Sequence, residues 1–597
     1  MFKKIRKWVS IKKDQNARGL LLIGIVGFNV CLWFFSSILA FILAPGTYES
    51  VARALWESGI TWMLEPGFYD PSVAYSIRII SIVVILTSMI TFSGGIIGYV
   101  ASLFSSIIET ARQGKGKMYI YDHILILNWN NKALELIADY RYDEQTTNIV
   151  VLSGDDKEEI DKAIKRKLYD TGKHQAKMKL NVIVRQGEVF SKSDLMDVCI
   201  EDAKTIIILS DEDLGAIDAE KHSDILAMKT LMLVSNLNIK PEQTIIVEVK
   251  QQQTINLIKD KIGVNKELKD QIIPILPDEL MGRLIAQTIL MPDLNWVYQE
   301  LFSFEGAEFY TVDGIEAEDY ITQYPYAIPI YTHDNRLYVL SENEKQMMLK
   351  RDKPLSSYQK LEINNKTRYQ DKTLLIFGKN NKLEYILDSI RLYERENKTK
   401  INVSFIESNE ASDIELHTKD LEKIDTILIL SNDYLEPKHY DSDVLVTLLM
   451  TQEIAKKHHA EIVIELLDPR HFDIAQSYNI KNTIISNEYI SRLITQLSKN
   501  RHLYFLYEDL LTYDPEDSLE ETYEVYAYKA KDIFQNPLPM SFSSKAEFIY
   551  SCYMSGNKNY MMIGWIQNGV IEIFKGNLDQ KKDMVIHPDD TIITICK

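Results

Sequence analysis

The sequence predicts an α-helical two-span membrane domain followed by an α/β region. That region reads as two tandem doubly wound, Rossmann-like parallel-sheet domains, each with a small β-rich C-terminal lobe. Three observations predict this architecture. Two long apolar segments precede residue 110, and one soluble strand–helix pattern occurs twice after it. The charge also changes sign: residues 1–118 hold 12 Lys/Arg and 6 Asp/Glu, whereas the whole 597-residue chain is −18, leaving −24 on residues 119–597.

Residues 1–18 form a basic segment with Lys3, Lys4, Arg6, Lys7, Lys12, Lys13 and Arg18. The membrane domain, 19–112, then opens with an uncharged run over residues 19–44. A bilayer core takes about 20 apolar residues in a helix, and the run exceeds the roughly 7–15 apolar residues of a secretory signal. The second span covers 73–108, interrupted only by Arg78. Arg112, Lys115 and Lys117 follow it, while the loop between the spans carries Arg53 alone. The excess of Lys and Arg on one side places both ends of this chain in the cytoplasm.

The loop at 51–70 is predicted to hold a short helix from Val51 to Leu64 and a turn at Glu65-Pro66-Gly67, with Asp70 just beyond. Span, short helix, turn, span is the layout of a re-entrant pore loop. Such backbone survives at membrane depth only where protein buries it or where it lines water. Repeated around an axis, Glu65 and Asp70 would form acidic rings, which favour cations; an ordinary extracellular turn is the alternative. The Thr-Val-Gly-Tyr-Gly filter of potassium channels is absent. Gly94, Gly95 and Gly98 interrupt the second span and suit either a gating hinge or close helix packing.

The remainder reads as a first domain at 119–349 (lobe 302–349), a polar linker at 350–371 and a second domain at 372–597 (lobe 521–597). Matched blocks recur in order. His123-Ile-Leu-Ile-Leu-Asn-Trp-Asn-Asn-Lys132 pairs with Leu374-Leu-Ile-Phe-Gly-Lys-Asn-Asn-Lys382, and Thr205–Leu214 with Thr426–Leu435. Ile245–Val249 pairs with Ile462–Leu466, and Asp278–Gln287 with Asn487–Gln496. Apolar strands alternating with helical patterns imply parallel sheets.

The dinucleotide fingerprint needs glycines where backbone approaches a pyrophosphate. Its positions here are Asn128, Asn130 and Ala133, then Gly378, Asn380 and Leu383, which argues against NAD binding. Cys31, Cys199, Cys552 and Cys596 lack metal-ligand spacing, and no nucleophile–base set is defined, so no enzyme is expected. The acidic field likewise argues against nucleic acid. Carboxylates at strand ends are the remaining site candidates: Asp211, Asp213, Glu248, Glu279, Asp433, Glu465 and Glu488. A hard cation such as Ca²⁺ would suit them. Pairing with Arg283 and Arg492, or helix capping, is the structural alternative.

These residues resemble the Castor/Pollux ion-channel family in a bacterial-type form. The resemblance rests on Gly114-Lys-Gly-Lys-Met-Tyr-Ile-Tyr-Asp-His-Ile-Leu-Ile-Leu-Asn-Trp129, Gly282-Arg-Leu-Ile-Ala-Gln287 and Phe304-Glu-Gly-Ala-Glu-Phe-Tyr310. The second copy adds Glu465-Leu-Leu-Asp468 and Ser486-Asn-Glu488. The resemblance implies a homotetrameric cation channel in the bacterial plasma membrane, passing K⁺, Na⁺ or Ca²⁺. It further implies eight domains of the kind that regulates potassium conductance, arranged as a ring, with regulatory Ca²⁺ as the suggested ligand. Plant members carry extra spans, and the spacing from Trp56 to the acidic turn is one residue longer here. The expectation is therefore a ligand-gated cation channel. Its rival is a membrane-tethered, ligand-sensing regulatory subunit of a separate transporter.

Overall fold

The computed structural model describes residues 2–596 apart from 44–45, 57–73, 113, 115, 143–146, 171–179, 213–218, 263–267, 269, 305, 365–370, 407–422, 433–440, 513–522 and 582–583. The chain divides into two compact units, Met1–Lys115 and Gly116–Lys597.

In the first unit α1 (Phe2–Leu43) is a helix of 42 residues. Its stretch Leu21–Leu43 is long and apolar enough to cross a membrane, as is Tyr75–Ser105. Between them α2 (Val51–Ala54) starts where the loop helix is expected, with the Ser50 hydroxyl accepting the Arg53 N–H at 3.2 Å. The second span is α3 (Tyr75–Ser88), a π-helical turn (Met89–Ser93) and α4 (Gly94–Arg112). A Cβ on Gly95 would lie 2.9 Å from Ile25 Cδ1, so this glycine allows close helix approach; one on Gly98 would meet open space. Gly94 directly follows the π turn.

Within that turn Thr91 Oγ1 lies 3.0 Å from Asn29 Oδ1 on α1 and 2.7 Å from the Thr87 carbonyl. Asn29 is buried and spends its own amide on the Ile25 carbonyl at 2.8 Å. An interhelical polar contact of this kind contributes about 0.6–2 kcal/mol in membranes. Asn29→Leu is therefore expected to lower thermal stability in detergent modestly, and Thr91→Val to add nothing further in the double variant. Full additivity of the two would show that the contact is not shared.

The second unit carries the duplicated pattern. Its first sheet is parallel, with strands β1 (His123–Leu127), β2 (Thr147–Ser153), β3 (Leu180–Gln186), β4 (Ala203–Ile208), β5 (Thr244–Glu248) and β6 (Ile272–Ile275). Their order is β3-β2-β1-β4-β5-β6, the doubly wound arrangement. Helices α5 (Asn131–Asp139), α6 (Lys157–Asp170), α7 (Ala219–Val234) and α8 (Pro277–Leu290) belong to this copy, followed by α9 (Leu294–Leu301). β1 and β5 are buried along their whole length, as continuous Ile/Leu/Val runs require.

The second sheet holds β10 (Lys372–Phe377), β11 (Ile401–Ile406), β12 (Thr426–Ile429), β13 (Glu461–Leu466) and β14 (Asn482–Ile485), in the order β11-β10-β12-β13-β14. Its helices are α10 (Lys382–Asn397), α11 (Ser442–His458) and α12 (Ser486–Lys499), followed by α13 (Leu503–Leu510). The first lobe is a three-stranded antiparallel sheet of β7 (Glu308–Asp313), β8 (Ala327–His333) and β9 (Arg336–Ser341). The second lobe is larger: β15 (Glu524–Lys529), β17 (Tyr560–Gln567), β18 (Val570–Ile573) and β20 (Thr591–Cys596) form one sheet, while β16 (Met540–Phe542) pairs with β19 (Met584–Ile586).

The two copies grip each other reciprocally. Helix α8 of the first packs on α10 of the second, and α12 of the second packs on α5 of the first. Gln287 on α8 donates to the Leu510 carbonyl at 3.2 Å, and its counterpart Gln496 on α12 donates to the Phe302 carbonyl at 3.3 Å. Phe302 stacks on Tyr507 with ring centroids 4.9 Å apart. The linker, too, is packed over its described part. Arg351 forks onto Asp579 at 2.7 and 2.9 Å, the Leu361 N–H reaches Ser555 Oγ at 2.9 Å, and Ile363 bridges to Phe534.

Candidate functional site

Open α/β sheets bind ligands beyond the C-terminal ends of their strands, where the strand order reverses. In both copies that place is the turn leaving the first strand. Asn128 there adopts a left-handed φ of 77°, and its counterpart Gly378 has φ 83°. A Cβ on Gly378 would stand 2.8 Å from the Leu430 carbonyl oxygen, so glycine is needed in the second copy, whereas asparagine tolerates the first.

The next residues replace a phosphate cradle with side chains. Asn130 caps α5: its Oδ1 accepts the N–H groups of Lys132 and Ala133 at 3.1 and 3.3 Å. Its Nδ2 donates to the Ser210 carbonyl at 3.1 Å and to Glu248 at 3.4 Å. Asn380 does the same in the second copy, donating to the Ser431 carbonyl at 3.0 Å and to Glu465 at 2.8 Å. Lys132 Nζ lies 2.8 Å from Glu248, and Lys382 Nζ lies 3.3 Å from Glu465. Both lysines and both glutamates are buried. Lys132 also pairs with Glu212, and Lys382 lies 3.5 Å from Asp278 on α8 of the other copy. Burial opposes the charge on Glu248, but Lys132, Lys250 and the Ser210 N–H outweigh it and hold the carboxyl down at about 2. The orphan N–H groups of the helix N-terminus, which usually receive an anion, are thus taken by the protein's own asparagine.

The other candidate residues fall as follows. Glu279 and Glu488 pair with Arg283 and Arg492 one turn along their own helices. Glu248 and Glu465 instead pair with lysines that the spacing did not single out. The shared Asn-Asn-Lys of the two copies was the available signal. The Asp211 N–H donates to Ser223 Oγ at 2.9 Å. Glu65, Pro66, Gly67, Asp70, Asp213 and Asp433 lie outside the described residues. Among the described residues no three His, Cys, Asp or Glu side chains come together in a way that could hold a metal ion. A dication at Glu248 or Glu465 would have to displace an ammonium group, so these two positions do not suit Ca²⁺.

One acidic group at the junction of the copies stands out. Asp139 on α5 is buried, and its Oδ2 has no hydrogen-bond partner. Burial raises its carboxyl well above the ordinary range; Arg492 opposes this, and Glu488 and Glu135 add to it. A carboxyl whose folded pKa is raised binds more protons folded than unfolded, so its contribution to stability falls as pH rises above 3.8. Asp139→Asn is expected to raise thermal stability at neutral pH, with the gain vanishing below about pH 4. A tenfold difference in proton affinity between the folded and unfolded chain is worth about 1.4 kcal/mol. A loss at neutral pH would show that the ionised form is the one required.

No protein-family model matches the chain. Over 567 residues it is 24% identical to a protein named probable ion channel POLLUX from Oryza sativa subsp. japonica, an alignment taking in 81% of this chain and 57% of that one. It is 22% identical over 573 residues to the ion channel CASTOR of Lotus japonicus, covering 82% of this chain and 65% of that one. The chain resembles the Castor/Pollux ion channels. It therefore spans 57% and 65% of the length of these two relatives. A stretch of 238 residues is 28% identical to the calcium-gated potassium channel TvoK of Thermoplasma volcanium, covering 38% of this chain and 59% of that one. Among solved structures, the human SLO3 gating ring matches with a TM-score of 0.52 at 14% identity, covering 79% of this chain and 99% of that one. That likeness concerns the fold.

Proposed function

We propose that the chain is the subunit of a ligand-gated cation channel, in which the two spans form the pore and the duplicated Rossmann-like domains gate it. The observation that carries this reading is the alignment with named ion channels over four-fifths of the chain. In this reading Glu65, Pro66, Gly67 and Asp70 line the outer mouth, and Gly94 is the hinge of the second span.

Assembly as a homotetramer with a ring of eight domains draws support from equivalent helices of the two copies. Aligned on Asp224 and Asp441, helices α7 and α11 carry Met232 and Leu449 at matching positions, 56% and 52% exposed. Ile225 on α7, with Val446 and Met450 on α11, extends the apolar surface. Apolar side chains grouped in this way mark association surfaces. The spans would sit in a plasma membrane with the domains on the cytoplasmic side. A ligand, for which Ca²⁺ is the candidate because the similar channel TvoK is named calcium-gated, gates only by binding one shape of the ring more tightly than the other.

Planar-bilayer recording of the purified chain under K⁺, Na⁺ and Ca²⁺ gradients tests the reading. Unitary currents reversing at a cation potential are expected, with conductance or selectivity altered by Glu65→Gln. Silence from folded, tetrameric protein, with and without Ca²⁺, would favour the tethered regulator.

A further inference from the structure

The geometry points to a binding site for a small organic amine, a diamine or polyamine, in the first Rossmann-like copy. A cavity of about 220 Å³ opens there at the C-terminal edge of the sheet, between the ends of β1, β2 and β4, the segment after β3 and the flank of α7. This is the switch point where open α/β sheets receive ligands. The volume lies below the roughly 300–1,000 Å³ of drug-sized sites, so the ligand is small.

Charge decides its class. Asp155, Glu188 and Asp211 line the cavity, and no Lys or Arg does among the described residues. A phosphate would meet three carboxylates, and its usual anchor at the helix N-terminus is occupied by the Asn130 side chain. An ammonium group meets the opposite: acidic partners, together with the rings of Trp129 and Phe190. The Phe190 ring already receives an internal cation on one face, with Lys229 Nζ 3.9 Å from its centroid.

The inner wall adds an independent sign. Thr230 is 1% exposed and lines the cavity, and its Oγ1 has no hydrogen-bond partner. Buried polar atoms ordinarily have one. An amine N–H supplies it, while Ile208 and Leu226 face the methylene stem. The site thus takes a molecule with one cationic end at the acidic rim and a donor at its inner end.

Isothermal titration calorimetry on the full chain in detergent, at physiological salt, tests this with spermidine, putrescine and AMP as probes. Saturable binding of spermidine, one per subunit, is expected, with no measurable AMP binding. Asp155→Asn combined with Asp211→Asn is expected to weaken spermidine at least tenfold, and Thr230→Val severalfold. A control pair far from the cavity, Asp319→Asn with Asp589→Asn, removes the same charge and is expected to change nothing. Equal weakening by the control pair would reduce the effect to general attraction by an acidic protein and overturn the site. AMP binding as tightly as spermidine would overturn the ligand class. Unchanged thermal unfolding of the unliganded variants guards against misfolding. The binding measurement does not depend on conduction; only a gating role for the amine rests on the channel reading, so bilayer silence with intact binding separates the two.

Discussion

Lys132→Met is expected to destabilise the chain by about 3–5 kcal/mol, the cost of leaving a buried carboxylate without its partner. Glu248 is fully buried, and Lys132 lies 2.8 Å from it. Asn130 and the Ser210 N–H cannot replace a full charge, and Lys250 stands further off at 3.8 Å. Removing both charges, with Lys132→Met and Glu248→Leu together, is expected to recover most of the loss, since a packed apolar pair removes the stranded charge. Thermal and denaturant unfolding of the two variants decide it. A double variant no better than the single would show that the hydrogen bonds, rather than the ion pair, hold the turn.

The same pair sets an acid limb. The folded carboxyl of Glu248 is held at about 2, below its ordinary 4.5. A depressed carboxylate stabilises the fold above its unfolded value and loses that contribution as pH falls through its folded one. This stability therefore drains away between about pH 4.5 and 2. Lys132 does not limit it there, because Glu212 and Glu248 overcome the penalty of burial and raise its pKa.

Gly282→Leu is expected to be the second severe change. Helices α8 and α10 touch at this glycine: a Cβ there would lie 2.7 Å from Tyr385 Cβ and 2.9 Å from the Lys382 carbonyl oxygen. Even alanine must push the helices apart, and overpacking of this kind costs about 1–3 kcal/mol, more for a larger side chain. The displaced backbone belongs to Lys382, so the buried pair with Glu465 moves with it. The matched residue in the other junction is Ser491, whose hydroxyl bonds to the Glu488 carbonyl at 3.0 Å, so Ser491→Gly is expected to cost far less. Unfolding midpoints compare the two. Equal tolerance at both positions would mean that the junction between copies is soft.

The sequence alone determined the duplication, the parallel sheets and the two spans. Each depends on local pattern: short β-branched runs such as His123-Ile-Leu-Ile-Leu127, bounded by turn residues, suit a strand covered on both faces, and an uncharged run over 19–44 fits the membrane. The pairs Glu279–Arg283 and Glu488–Arg492 were legible too, because four residues is one helical turn. Partners of Glu248 and Glu465 were not. Asn130 meets Glu248 across 118 positions, and only the strand order β1-β4-β5 brings the two ends together. The π turn beside Gly94 was equally hidden, since the span around it is apolar on nearly every side and a shift of helical phase there changes no pattern. The reciprocal grip of the copies was likewise decided in three dimensions. A helix written twice in the sequence declares an apolar face, but which helix covers it depends on how two whole sheets are placed, and that placement is made by contacts far apart along the chain.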